Sequence, residues 1–190
     1  MSMGMATKTL LTINDYLALE EPEGVRYELS EGELIVRPSP SYFHNEIRDE
    51  LNARLGAFVK NQKLGGVTGE TDVMPAGETV RGPDVAFISA GRLHGIDLHK
   101  VPLPLSPDLA IEVVSENDRA DDLMHKVTQY LAAGTRAVRL LYPSTRLAYR
   151  YVPNKLEPEV RSVDAGHVFE EPEMLPGFFL PLAEIFAQGA

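Results

Sequence analysis

The chain has 190 residues, 44% hydrophobic and 24% charged, ordinary values for a globular protein and enough for one core that removes about 70% of the unfolded surface from water. Its net charge of −10 argues against broad, non-specific nucleic-acid binding, which draws its affinity from neutralising phosphates, while leaving room for a local basic cleft. With no cysteine, disulfides, thiolate zinc sites and cysteine nucleophiles are excluded together, so any metal site has to use oxygen or imidazole ligands.

The N-terminal "MSMGMATKTLLTI" holds only a short apolar run without a small-residue cleavage pattern, and nowhere do 18 apolar residues follow one another. We therefore expect a cytoplasmic protein that does not enter a membrane. Thr12 followed by Asp15 suggests a short capped helix through Leu17, ended by "EEPEG". "VRYELSEGELIVR" alternates as two strands, about Val25 to Leu29 and Glu33 to Arg37, around Glu31-Gly32, so a hairpin is expected that the cluster "PSPS" ends. Ile47, Leu51, Leu55, Phe58 and Val59 recur at helical spacing, which predicts an amphipathic helix from Tyr42 to about Val59. Its Arg48, together with Arg54, Lys60 and Lys63, is interspersed with acids and reads as part of a solvated face. Gly65-Gly66 are expected to turn the chain.

Strands are expected at about Val67 to Met74 and Asp84 to Ser89, then at Leu109 to Val114 after a long connection punctuated by proline and glycine. A helix over about Ala120 to Ala133 has acids at its start and Gly134 as its stop. Strands at Ala137 to Tyr142 and Leu147 to Tyr151 precede a polar hairpin-like region and a C-terminal "LPGFFLPLAEIFAQ" that packs back on the core. Neighbouring strands without a helix between them pair antiparallel, whereas the strand, helix, strand step after Glu112 demands a right-handed parallel crossover. The expected fold is α/β (α+β): a mixed central sheet flanked by helices, in one domain over 1–190. Its core spans about 42–142, with the N-terminal helix and hairpin over 12–37 and C-terminal strands and a short helix over 146–187.

One residue contradicts its surroundings. Glu112 interrupts an apolar strand, where an unpaired charge costs several kcal/mol or is neutralised by a pKa shift. A metal, a basic side chain or an exit into a cleft at the sheet's edge could compensate it. Asp84, directly after Pro83, opens the preceding strand, and if the two strands are neighbours both carboxylates can converge on one hard divalent cation, Mg²⁺ or Mn²⁺. The position two beyond Glu112 is Val114, so a cation to orient water has to come from elsewhere. Lys126 falls beside the buried stripe Leu123, Val127, Tyr130 and Leu131 of the following helix, from which its stem can reach toward the sheet end. Gln129 lies farther round the same flank, where it could touch a substrate backbone. Glu28, alternating with Tyr27 and Leu29, either lines the same cleft or pairs with Arg26 or Arg37.

Pro83-Asp84, Glu112 in "IEVVS" and Lys126 in "HKVTQYLAAG" resemble the PD-(D/E)XK nuclease superfamily. More closely, "YELSEGEL", "PDVAFI" and "PDLAIEVVS" resemble its restriction-endonuclease-like, Uma-type branch, over about Thr12 to Phe186. The resemblance implies a restriction endonuclease-like core and a Mg²⁺- or Mn²⁺-dependent endonuclease acting on DNA. It implies Asp84 and Glu112 as metal ligands, the Val113 carbonyl as a third, and Lys126 in the role of a migrated lysine. His44 and Glu46, near the start of the long helix, stand where such nucleases often supply an additional acid or metal-facing residue. A homodimer able to cut two strands is a further implication. Val114 in the place of lysine, and the net acidity, keep a second class open: a catalytically silent nuclease-like scaffold that binds protein or nucleic acid.

Overall fold

The computed structural model describes residues 9–37 and 39–187. The first eight residues of the segment read for a targeting signal lie outside these, as do Pro38 of the Pro/Ser cluster and Gln188 of the C-terminal segment. Thr12 caps α1 (Ile13–Leu17) through a capping box, its side chain accepting from the Asp15 N–H at 3.1 Å and its own N–H donating to Asp15 Oδ2 at 2.9 Å. The hairpin follows as expected, β1 (Arg26–Ser30) pairing antiparallel with β2 (Glu33–Arg37) in a register that opposes Arg26 and Arg37.

Ser41 caps α2 (Tyr42–Gln62), whose Ile47, Leu51, Leu55 and Val59 are buried at helical spacing. Gly65 and Gly66, expected to turn the chain, instead open β3 (Gly65–Gly69), opposite Ser89 and Ile88. The turn falls on Lys63, whose φ of 56° is left-handed. Gly65 is needed because its φ is 152° and a Cβ there would stand 2.1 Å from the Ile88 carbonyl oxygen. β3 also ends earlier than expected, at Gly69; the left-handed Glu70 bends the chain, and Val73 keeps only isolated bridges to Arg81 and Leu103.

Next come β4 (Val85–Ser89), the short α3 (Ala90–Leu93), β5 (Leu109–Val113), α4 (Ala120–Ala132), β6 (Ala137–Tyr142), β7 (Leu147–Tyr151) and β8 (Glu159–Ser162). The chain closes with β9 (Val168–Phe169), β10 (Leu180–Pro181) and α5 (Leu182–Ile185). β3 to β8 form one six-stranded sheet in chain order, parallel only between β5 and β6, where α4 is the crossover. The mixed sheet flanked by helices is thus borne out.

The pleat sorts the strands into two layers. Val85, Phe87, Leu109, Ile111, Val113 and Leu141 pack with the buried stripe of α2 and with the C-terminal segment. Ile88, Ala110, Val138 and Leu140 pack with Leu123, Val127 and Tyr130 of α4. Glu112 falls in the second set, toward α4. Among the described residues no helix is long and apolar enough to cross a membrane.

Candidate active site at the end of the sheet

β4 and β5 are antiparallel neighbours with Val85 opposite Ile111, and continuing that register by one residue sets Asp84 opposite Glu112. Both side chains therefore leave the same face at one end of the sheet. Each residue is only 2% exposed. The Asp84 Oδ2 accepts the Val113 N–H at 2.6 Å and lies 3.2 Å from His44 Nε2, so the first turn of α2 holds it from the far side. Glu112 accepts from Lys126 Nζ at 3.3 Å and from the Tyr130 hydroxyl at 3.2 Å. Lys126 and Tyr130 are four apart, one turn of α4, which is why they meet one carboxylate. The lysine missing two positions beyond Glu112 is thus replaced in space by one from the next helix.

Glu28 is the hub of the cluster. Its carboxylate, 1% exposed, accepts from Arg81 Nη1 at 2.8 Å, Arg37 Nη1 at 2.9 Å, Lys126 Nζ at 3.1 Å and the Gly82 N–H at 3.2 Å. Of the two pairings considered from sequence, that with Arg37 forms; Arg26 turns to Glu70. Gly82 is crowded from another side, where a Cβ would meet Asp72 Oδ1 at 3.0 Å. Arg37 Nη2 stands 4.0 Å from Asp84 Oδ1 and 3.9 Å from Glu112 Oε2, between the two carboxylates. Three acids, Asp84, Glu112 and Glu28, thus face three basic side chains, Arg37, Arg81 and Lys126. Of the three ways to compensate Glu112, basic side chains are the one visible here.

Burial penalises every charge in this cluster, and the neighbours decide which way each pKa moves. For Glu28, burial is outweighed by Lys126, Arg37 and Arg81, and its pKa falls to about 2. Burial wins at Glu112, despite Lys126, and raises its pKa. Asp84 is lowered, because its hydrogen bond with His44, the charge of that ring and Arg37 overcome burial. The same bond overcomes the desolvation of His44 and raises it. Arg37, burial notwithstanding, is raised by Glu28, Glu112 and Asp84.

Two other expected residues take different places. Glu46 is half-buried on the far side of the helix turn and pairs with exposed Tyr42, away from the cluster. Gln129 offers no surface to a substrate: it is buried, its Oε1 accepts from Arg81 Nε at 2.8 Å and Nη2 at 2.7 Å, and its amide nitrogen donates to Ser30 Oγ at 3.1 Å. It holds Arg81 behind Glu28. Sequence reasoning passed over Arg81 and the Tyr130 hydroxyl. The available signal was weak in both cases, a lone arginine two residues before Pro83 and a tyrosine already accounted for as core.

A cleft of about 760 Å³ opens over this end of the sheet, with Glu28, Arg37, His44 and Asp84 at its floor and Arg26 and Arg146 on its wall. A second, of about 730 Å³, reaches Lys126, Glu28 and Arg37 from the side of the hairpin. Arg37 lines both, and Glu112 lies behind it, outside either. The rim is acidic, Glu70, Asp72, Glu116 and Asp118 outnumbering Arg26 and Arg146. The basic residues of α2 do not add to it: Arg48 is tied to Glu70 at 2.7 Å and Arg54 to Glu50 at 2.8 Å. Among the described residues no three carboxylates or imidazoles form a ready cation cage. Chemically, Asp84 and Glu112 supply the hard oxygen donors that Mg²⁺ or Mn²⁺ prefer, and they fit such an ion in type and in facing each other.

Comparison with known proteins agrees with this geometry. A solved structure described as a "putative nuclease belonging to DUF820" from Anabaena variabilis superposes with a TM-score of 0.81, covering 93% of this chain and 98% of that one. At 22% identity the likeness is one of fold. No curated protein matches the chain. The family model Uma2, described as "Putative restriction endonuclease", matches residues 13–183, and the protein belongs to that family.

Proposed function

We propose that the protein is an endonuclease that hydrolyses phosphodiester bonds of DNA with the help of Mg²⁺ or Mn²⁺. What carries the reading is the convergence of Asp84 just before β4, Glu112 from β5 and Lys126 from α4 beside a cleft, in a chain of the restriction endonuclease family. Asp84, Glu112 and the Val113 carbonyl would hold the ion, which when bound polarises the scissile phosphate and lowers the pKa of a coordinated water. An acidic rim supports the need for such a cation, since a phosphate entering the cleft is otherwise repelled. Lys126, fixed by Glu28 and Glu112, orients the attacking water and offsets charge that develops on the phosphate. His44 and the Val113 N–H both hold Asp84 Oδ2, which orients the carboxylate and leaves Oδ1 to an ion. The reading includes a homodimer, which would bring two such sites to two strands, and a cytoplasmic location.

Incubating the purified protein with supercoiled plasmid and Mn²⁺ tests the proposal. Nicking should appear, disappear with chelator, and be lost in Asp84→Ala and in the isosteric Asp84→Asn. Unchanged metal-dependent cleavage by both variants would show the assignment wrong. Sedimentation of only a 20.9 kDa species at working concentration removes the dimer. One observation favours the second reading, a silent scaffold: the cluster neutralises itself, and its lysine comes from a helix instead of the strand. Turnover that Glu112→Gln abolishes eliminates that scaffold.

A further inference from the structure

Arg37 occupies an unusual position for a residue outside both core strands. It projects from the end of β2 with about a quarter of its side chain exposed, and its guanidinium stands beside Asp84 at the cleft floor and in front of Glu112, which lies outside the cleft. Its hold is lopsided. Nη1 makes two normal hydrogen bonds, to Glu28 at 2.9 Å and to the Gly82 carbonyl at 3.0 Å. Nη2 only faces the two carboxylates, at 4.0 and 3.9 Å, beyond hydrogen-bonding distance.

Charge balance gives that placement a consequence. With three buried acids against Arg37, Arg81 and Lys126, the cluster is already neutral with His44 uncharged and carries one positive charge more when that ring is protonated. A divalent cation arriving between Asp84 and Glu112 would add two positive charges and press directly on the Nη2 group. Arg81 and Lys126 cannot relieve this, being buried and tied to Glu28, Ser30, Gln129 and Glu112. Of the three, only Arg37 lines the larger cleft, and its side chain is the most exposed. Guanidinium also pairs with phosphate in a bidentate fork, so a phosphodiester in the cleft offers it a second partner.

Building on the nuclease reading above, we propose that Arg37 is an internal counter-cation that competes with the divalent metal for Asp84 and Glu112, and that a phosphodiester in the cleft draws it away. Metal binding and substrate binding are thereby coupled, and by reciprocity each tightens the other. Arg37 acts as a gate on the metal and as a phosphate ligand once displaced.

Calorimetric titration of Mn²⁺ at pH 8 into wild type, Arg37→Gln and Arg37→Lys reads this without turnover. Arg37→Gln should bind Mn²⁺ about tenfold more tightly than wild type, with Arg37→Lys between them. Adding a short oligothymidylate should move wild type toward Arg37→Gln while leaving the variant little changed. Because removing Arg37 bares buried carboxylates, the variant's fold is monitored by circular dichroism, and Mn²⁺ should raise its melting temperature more than that of wild type. Equal Mn²⁺ affinity in wild type and both variants overturns the gate and leaves the nuclease reading standing. Tighter binding that oligothymidylate does not modulate overturns the coupling. No Mn²⁺ binding by any folded form, with or without oligothymidylate, sinks the gate together with the metal site on which it rests.

Discussion

Replacing Glu28 by glutamine removes one charge from the centre of the cluster while keeping its volume, and leaves Arg37, Arg81 and Lys126 facing only Asp84 and Glu112. The loss can be sized from the pKa. A carboxylate that ordinarily titrates at 4.5 and is held at about 2 in the folded chain contributes on the order of 3 kcal/mol at neutral pH. That matches the about 3–5 kcal/mol expected when one partner of a buried ion pair is removed. Glu112, whose pKa the charge of Glu28 helps to raise, ionises more readily in the variant and returns part of the loss, so about 3 kcal/mol is a ceiling. For a chain of this size the melting temperature should fall by about 6–12 °C at pH 7. The sign with pH is fixed. Because the folded pKa is depressed, the stabilisation is present above pH 4.5 and is lost as the pH falls toward 2, with about 2 kcal/mol already gone at pH 3. Urea denaturation of both proteins at pH 7, 5, 4 and 3 should therefore show a gap that narrows on acidification, the variant's curve being the flatter. A gap of constant size from pH 7 to pH 3 would refute the argument that the carboxylate's charge, and not its hydrogen-bonding shape, holds the cluster.

Other expectations follow from neighbouring contacts. The His44 pKa, followed by NMR, should lie above the ordinary 6.5 and drop in Asp84→Asn; since its folded pKa is raised, the stability it lends is full below pH 6.5 and fades as the pH rises through the higher value. A His44 titration that ignores Asp84→Asn would break the pairing of the two groups. Lys126→Met should lower single-turnover cleavage by about 10²–10³-fold while Mn²⁺ affinity persists; parallel loss of both would mean that Lys126 builds the site instead of serving the reaction. Leu51→Ala, at a fully buried position of α2, should cost about 2–5 kcal/mol in chemical denaturation. A loss below 1 kcal/mol would mean that α2 is not anchored through that stripe.

Local patterns were legible because they depend on residues close in the chain. Thr12 and Asp15 close a capping box across three positions, and Glu31-Gly32 turn a hairpin because both adopt left-handed backbone. The α2 stripe follows from the period of a helix, and the β5, α4, β6 crossover from the rule that a parallel pair needs a long connection. Glu112 itself could be singled out, since a carboxylate in an apolar strand demands a partner wherever the strand lies. Gly65-Gly66 were misread because a glycine pair signals left-handed or crowded backbone without saying which; here Gly65 yields to the Ile88 carbonyl of the adjoining strand, a contact with no local trace.

Which partner Glu112 receives was decided only by the tertiary structure. Lys126 is 14 residues from Glu112 and 98 from Glu28, Arg81 is 53 from Glu28, and Arg37 reaches the carboxylates from a separate hairpin. No periodicity links such positions, because they are brought together by the stacking of hairpin, sheet and helix, and the energy of their interaction depends on distances of 3 to 4 Å and on the loss of water around them. The sequence by itself determined that a buried acid had to be answered; only packing determined that Lys126 and Arg37 answer it, and that Arg37 stands at the door of the cleft.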